Sequence, residues 1–113
     1  MKLTIGMATY ADFDGVYFTV QSLLVHHQEA LQDCEILVVD NAPHLPVAQT
    51  LQGYCRSVSL PERPVHYVPF GQAVGTSPAR DAIFHHASGE YALVLDCHVL
   101  LALGSLKRLR EYL

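Results

Sequence analysis

Four short polar clusters interrupt an otherwise apolar chain: Thr9 to Asp12, Asp40-Asn41, Gly71 to Arg80, and Asp96-Cys97-His98. Asp96 and His98 flank a single residue, and a carboxylate and an imidazole spaced that way can face one cation. Mixed oxygen and nitrogen donors suit Mn²⁺ better than Ca²⁺, with Mg²⁺ as the other candidate. A divalent ion there would neutralise a diphosphate and act as a Lewis acid. The plainer alternative is that Asp96 caps the following turn and His98 is a polar surface group. Asp40 can accept a hydrogen bond from a base imide or a ribose hydroxyl, or can close an Asx turn with Asn41. Thr9 offers backbone groups and Tyr10 an aromatic edge, although Tyr10 can equally pack on a following helix. Asp12 can contact a ligand or cap that helix. Arg80 can reach a phosphate, or can form a surface ion pair with Asp81 or Glu90. Gly71 and Gly75 precede a helix, but their spacing is neither that of a P-loop nor that of a dinucleotide fingerprint.

Positioning these clusters is the task of the elements between them. Leu3 to Ala8 reads as a strand. Phe13 to Leu31 carries Val16, Val20, Leu23 and Leu24 at helical spacing, with Asp12 or Asp14 as its cap. Glu35 to Val39 is almost uniformly apolar and β-branched, as in a central parallel strand covered on both faces. Val47 to Tyr54 reads as a short helix among turns set by Pro43, Pro46, Pro61 and Pro64. Val65 to Val68 is a third strand, Ser77 to Ala87 a helix stopped by Ser88-Gly89, Tyr91 to Leu95 a fourth strand, and Ser105 to Leu113 a final helix. Such alternation specifies an α/β domain with an open, mainly parallel, Rossmann-like sheet and helices on both faces. Every polar cluster then follows the carboxyl end of a strand, the edge at which open α/β sheets bind ligands.

Composition narrows the choice further. The chain has 113 residues, enough for one ordinary core, so residues 1–113 are expected to form one domain. Half the residues are hydrophobic and only 16% are charged, which excludes a disordered chain. A formal charge of -4 gives no basic field for nucleic acid or an anionic membrane. Nothing reads as a signal peptide or a membrane span. Three cysteines, Cys34, Cys55 and Cys97, at wide spacings fit a reduced cytoplasmic setting and imply no catalytic thiol. Alternation along the strand places Cys97 in the core. The adjacent pairs His26-His27 and His85-His86 point two ways on their helices, read as surface or partly buried residues, and cannot chelate one ion.

The segments Leu3-Thr-Ile-Gly-Met-Ala-Thr-Tyr, Ile36-Leu-Val-Val-Asp-Asn, Gly75-Thr-Ser-Pro-Ala-Arg-Asp and Ser88-Gly-Glu-Tyr-Ala-Leu-Val-Leu-Asp-Cys-His together resemble family 2 glycosyltransferases of the GT-A fold, over essentially the whole chain. The resemblance implies that the first motif (Thr9, Tyr10, Asp12) and Asp40 hold the base and ribose of a nucleotide-sugar. It further implies that Arg80 lies beside the nucleotide and that Asp96 and His98 hold Mn²⁺ or Mg²⁺ and the diphosphate, UDP being the usual nucleotide. His98 departs from the family's commoner Asp-x-Asp. Family members continue well past this motif into an acceptor-binding half that usually carries the catalytic base, whereas here the chain stops one helix later. A truncated chain, a naturally reduced protein and a degenerate remnant all accommodate this, so a non-catalytic nucleotide-binding or protein-interaction module stands as the alternative. An uncovered sheet edge would also invite self-association.

Overall fold

The computed structural model describes residues 1–71 and 76–113. Strands β1 (Leu3–Thr9) and β2 (Cys34–Asp40) form the centre of the sheet, and every residue in them except Ala8 is buried. Strands β3 (Val65–Pro69) and β4 (Tyr91–Leu95) flank them and are only partly covered. The order is β3-β2-β1-β4, with all pairs parallel. This is the open α/β sheet that the alternation of short apolar runs and amphipathic stretches specifies.

Side-chain alternation divides the core in two. On one face Leu3, Ile5, Met7, Ile36 and Val38 meet Val16, Val20 and Leu23 of α1 (Phe13–His26), Leu51 and Cys55 of α2 (Val47–Val58) and Leu106 of α4 (Ser105–Glu111). On the other, Leu37 and Val39 meet Ala79, Ala82 and Ile83 of α3 (Thr76–His86). Each fully buried aliphatic side chain here is worth roughly 1.5–3 kcal/mol. Gly6 makes the second packing possible: a Cβ at this position would overlap Cγ2 of Ile83, so α3 rests directly on the backbone of β1.

The crossovers through α1 and α2 move toward the β3 edge on one face, and the crossover through α3 returns past β1 to β4 on the other. Opposite directions on opposite faces give all three the same hand, as the right-handed rule requires. The order therefore reverses between β1 and β4. That reversal is the switch point at whose carboxyl side ligands of this architecture bind.

Four local expectations need correction. The helix expected to reach Leu31 ends at His26, because His27 leaves helical geometry (φ -127°) and a 3₁₀ turn, Gln28–Ala30, follows. His27 is fully buried, not a surface residue, and its Nε2 lies 3.2 Å from the Leu101 carbonyl. Helix α2 runs on to Val58, past the expected Tyr54, and stops where Ser59 turns extended ahead of Pro61. Cys97 is half-buried rather than a core residue; its Sγ–H donates to the Ala8 carbonyl at 3.5 Å.

Glu35 is the most buried acid outside the rim. It is 3% exposed, and its Oε2 accepts hydrogen bonds from Thr4 Oγ1 at 2.6 Å and from the Ser88 amide at 2.7 Å. Thr4 Oγ1 in turn accepts from the Gly89 amide at 2.9 Å. The turn leading into β4 is thus fastened to the central strands by one carboxylate. Burial alone would raise its pKa, but the bonds from Thr4 and Ser88 and the nearby His66 outweigh it and hold the group below its ordinary 4.5.

Candidate functional site

Because all four strands are parallel, their polar carboxyl ends lie on one rim. Two side-chain pairs, Asp12–His98 and Arg80–Asp96, stand there at the β1–β4 switch point. Asp12 follows β1 and caps α1: its Oδ1 accepts the Gly15 amide at 2.9 Å, while its Oδ2 lies 2.8 Å from Nε2 of His98, beyond β4. Arg80, on α3, pairs through its guanidinium with Oδ1 of Asp96. Arg80 therefore takes neither Asp81 nor Glu90 as partner, but another rim residue. These contacts join the loops after β1 and β4 to helix α3. All four side chains remain open to water, with exposures of 38% for Asp12, 60% for His98, 47% for Arg80 and 69% for Asp96.

Beyond His98 the chain is laid along α1. The His98 amide donates to the Gly15 carbonyl at 3.4 Å, the Val99 amide to Thr19 Oγ1 at 3.1 Å, and Leu101 meets His27. Ala11 (φ 52°) and His98 (φ 66°) both adopt left-handed geometry, which costs a non-glycine residue about 1–2 kcal/mol. Such outliers often mark functional loops. Asp33 (φ 52°), in a turn at the opposite end of the sheet, shows that a tight turn alone can also produce one.

The left-handed turn at His98 breaks strand alternation, so Asp96 and His98 do not present a shared pair of donors: one faces Arg80 and the other Asp12. Among the described residues, no three His, Cys, Asp or Glu side chains converge into a cation cage. The donor chemistry nevertheless suits a hard divalent ion of the kind that takes one or two protein ligands and completes its shell with substrate phosphates and water. Asp96 and His98 fit that description as solvent-facing donors.

The remaining candidates are held in different ways. Asp40 is fully buried; its Oδ1 accepts the Ala42 amide at 2.9 Å, closing the Asx turn, and its Oδ2 accepts the Tyr67 hydroxyl at 2.6 Å. Because the carboxylate is fully buried, contact with a nucleoside requires the turn at Ala42 or the Tyr67 side chain to move. Thr9 is also buried, with its hydroxyl donating to the Asp12 carbonyl at 3.4 Å and its own carbonyl accepting the Asn41 amide at 2.8 Å. Tyr10 is 64% exposed. Gly71 lies beside Pro43, while Gly75 lies outside the described residues. A recess of about 300 Å³, lined by Arg80, Phe84, Val94 and Asp96, opens beside the second pair. A more apolar groove of about 440 Å³ runs along α1 from Asp14 to His26 and is closed on one side by Leu100.

Tyr67, Gly15 and Thr19 were not legible as site residues. Their roles depend on a partner far along the chain, and no local spacing announces it. Glu35 did carry a signal, as the one charged residue in the run Glu-Ile-Leu-Val-Val.

An open parallel α/β sheet with polar groups gathered at its switch point is the architecture whose ligand sites lie at the carboxyl ends of the strands. The family model for glycosyl transferase family 2 matches residues 4–113, and the chain belongs to that family. The crystal structure of S. aureus TarS residues 1–349 superposes with a TM-score of 0.73 at 20% identity, covering 99% of this chain and 32% of that one. A second structure of S. aureus TarS gives 0.72 at 20% identity, covering 99% of this chain and 19% of the other. At that identity the likeness concerns the GT-A fold, and the chain spans a third or less of the structures it resembles. No curated protein matches the chain. Among the described residues no helix is long and apolar enough to cross a membrane.

Proposed function

We propose that the chain is the donor-binding part of a glycosyltransferase that moves a sugar from a nucleotide diphosphate-sugar to an acceptor hydroxyl. The observation that carries this reading is the meeting of the Asp12–His98 and Arg80–Asp96 pairs on one rim, at the switch point of the sheet. Family membership favours a nucleotide-sugar as the ligand, with UDP as its nucleotide. A divalent cation, Mn²⁺ or Mg²⁺, held by Asp96 and His98 would neutralise the diphosphate as it leaves.

The chain's own residues have separate tasks in this scheme. Arg80 turns from Asp96 to a phosphate oxygen, which a guanidinium binds in the same forked geometry as a carboxylate. Tyr10 offers an exposed ring to the base. Thr9 and Asp12 hold the loop that carries it, and Asp40 fixes the neighbouring turn and contacts the nucleoside if Tyr67 releases it. The acceptor and the base that deprotonates it are supplied from outside these residues. The three cysteines, free among the described residues, support a reducing setting such as the cytoplasm. Among the described residues β4 pairs only with β1, and we propose that this open edge supports self-association. Light scattering should then show a species larger than a monomer at high concentration, and a clean monomer would refute it.

Calorimetric titration of UDP and GDP, with and without Mn²⁺, tests the donor site. Saturable UDP binding that needs the metal and weakens by about tenfold or more in Asp96→Ala is expected, a loss of about 1.4 kcal/mol. The pairing of both rim acids within the chain favours one rival, a non-catalytic module that retains the fold. Absence of nucleotide binding would select that rival.

A further inference from the structure

Gly15 lies in the first turn of α1, between the two residues of the Asp12–His98 pair. Its amide donates to Asp12 Oδ1 at 2.9 Å, and its carbonyl accepts the His98 amide at 3.4 Å. Its backbone does not require glycine, since Gly104 is the only glycine at positive φ among the described residues. A glycine inside a helix lowers stability relative to alanine, so its presence here calls for another cause. The surroundings provide one. A Cβ on Gly15 would overlap Asp12 Oδ2 and would stand 2.7 Å from Nε2 and 2.8 Å from Cδ2 of His98. These atoms are the ends of two side chains, not backbone, so an added methyl would displace the pair and leave the helix in place.

We infer that Gly15 is a positioning residue of the rim: its lack of a side chain is what lets the His98 imidazole rest on the first turn of α1 against the Asp12 carboxylate. The consequence for ligand binding rests on the donor-site reading, but the consequence for His98 does not. Through this contact the loop after β1 and the loop after β4 hold a fixed separation. Thr19, one turn further along, extends the same docking by accepting the Val99 amide.

The test compares Gly15→Ala with Gly53→Ala in the full chain. Gly53 sits in α2, and a Cβ there would meet nothing within 4 Å. Imidazole resonances of His98 are recorded by NMR at one pH without nucleotide, and UDP is titrated in the presence of Mn²⁺. Gly15→Ala should move the His98 signals and weaken UDP binding by about tenfold, while Gly53→Ala should do neither. If wild-type protein binds no UDP, the donor reading fails and the His98 signals still decide the inference. Should Gly15→Ala lower the melting temperature, combining it with His98→Ala should return part of the loss, because the overlap with the imidazole is then gone and the Asp12 Oδ2 has room to move away. Unmoved His98 signals in Gly15→Ala, or an equal loss of stability with and without His98, would overturn the inference.

Discussion

Replacing Tyr67 by Phe isolates the bond that fixes the end of β2. The Tyr67 hydroxyl donates to Asp40 Oδ2 at 2.6 Å, and Asp40 is 0% exposed, so no bulk water waits to take its place. Burial, then the adjacent Asp40 carboxylate, push the Tyr67 phenol well above its ordinary value of 10.0, so it is the neutral, donating form that faces Asp40. A hydrogen bond to a charged group is worth about 1.5–3 kcal/mol, and the variant loses it while the acceptor stays buried. For a chain of 113 residues the unfolding entropy is about 0.24 kcal/mol/K, so the melting temperature should fall by about 6–12 °C. Circular dichroism on heating reads this directly. Asp40→Asn should cost less, because the amide oxygen still closes the turn to Ala42 and the Tyr67 hydroxyl can rotate to accept from the new NH₂. Adding Tyr67→Phe to Asp40→Asn should then cost less than Tyr67→Phe alone, the mark of a coupled pair. A Tyr67→Phe midpoint within about 2 °C of wild type would refute the reasoning, since it would put the bond's worth below about 0.5 kcal/mol.

Gly6→Ala should destabilise the protein by about 1–3 kcal/mol through overpacking against Ile83, and Ile83→Ala, which removes the overlapped Cγ2, should cost less in the Gly6→Ala background than in wild type in chemical denaturation. Glu35 has a folded pKa below its ordinary 4.5, so between the two values the unfolded chain binds more protons and stability rises with pH. Wild-type protein should accordingly lose stability as acid is added below 4.5, and Glu35→Gln should be flatter over that window in urea titrations at successive pH values. Burial raises the Cys34, Cys55 and Cys97 thiols to about 11, so all three should alkylate slowly at neutral pH, with half-buried Cys97 reacting first by mass spectrometry.

The sheet was legible because period and composition agreed at each step. The runs from Leu3, Ile36 and Tyr91 are short and apolar, the second also β-branched, and the stretches between them fall at helical spacing. The boundary at His27 was not legible, because a buried imidazole bonded to Leu101 ends the helix there while the hydrophobic pattern runs on. The rim was legible as a location, since parallel strands put every post-strand polar cluster on one edge. Its pairings were not. Asp96 and His98 are separated by one residue, yet each takes its partner from far along the chain, and the left-handed turn at His98 decides this.

That separation bears on how the rim would work. A motif whose two ends point at one ion would be a cage built before the ligand arrives, and its affinity would depend little on the nucleotide. Here each acid already has a partner, Arg80 for Asp96 and His98 for Asp12, so metal or nucleotide alone must displace a bond before gaining one. Under the proposed donor-site reading, a nucleotide with its cation would replace the Arg80–Asp96 bond from both ends at once: a phosphate would take Arg80 and the cation the freed carboxylate. Joint binding therefore costs less than the sum of the separate events, which is positive coupling between the two ligands. By linkage, Mn²⁺ should tighten UDP by the same factor as UDP tightens Mn²⁺, and Arg80→Ala should shrink that factor because Asp96 then begins unpaired. Equal Mn²⁺ affinities with and without UDP, measured by calorimetry on the wild-type protein, would show that the Arg80–Asp96 pair is a bystander.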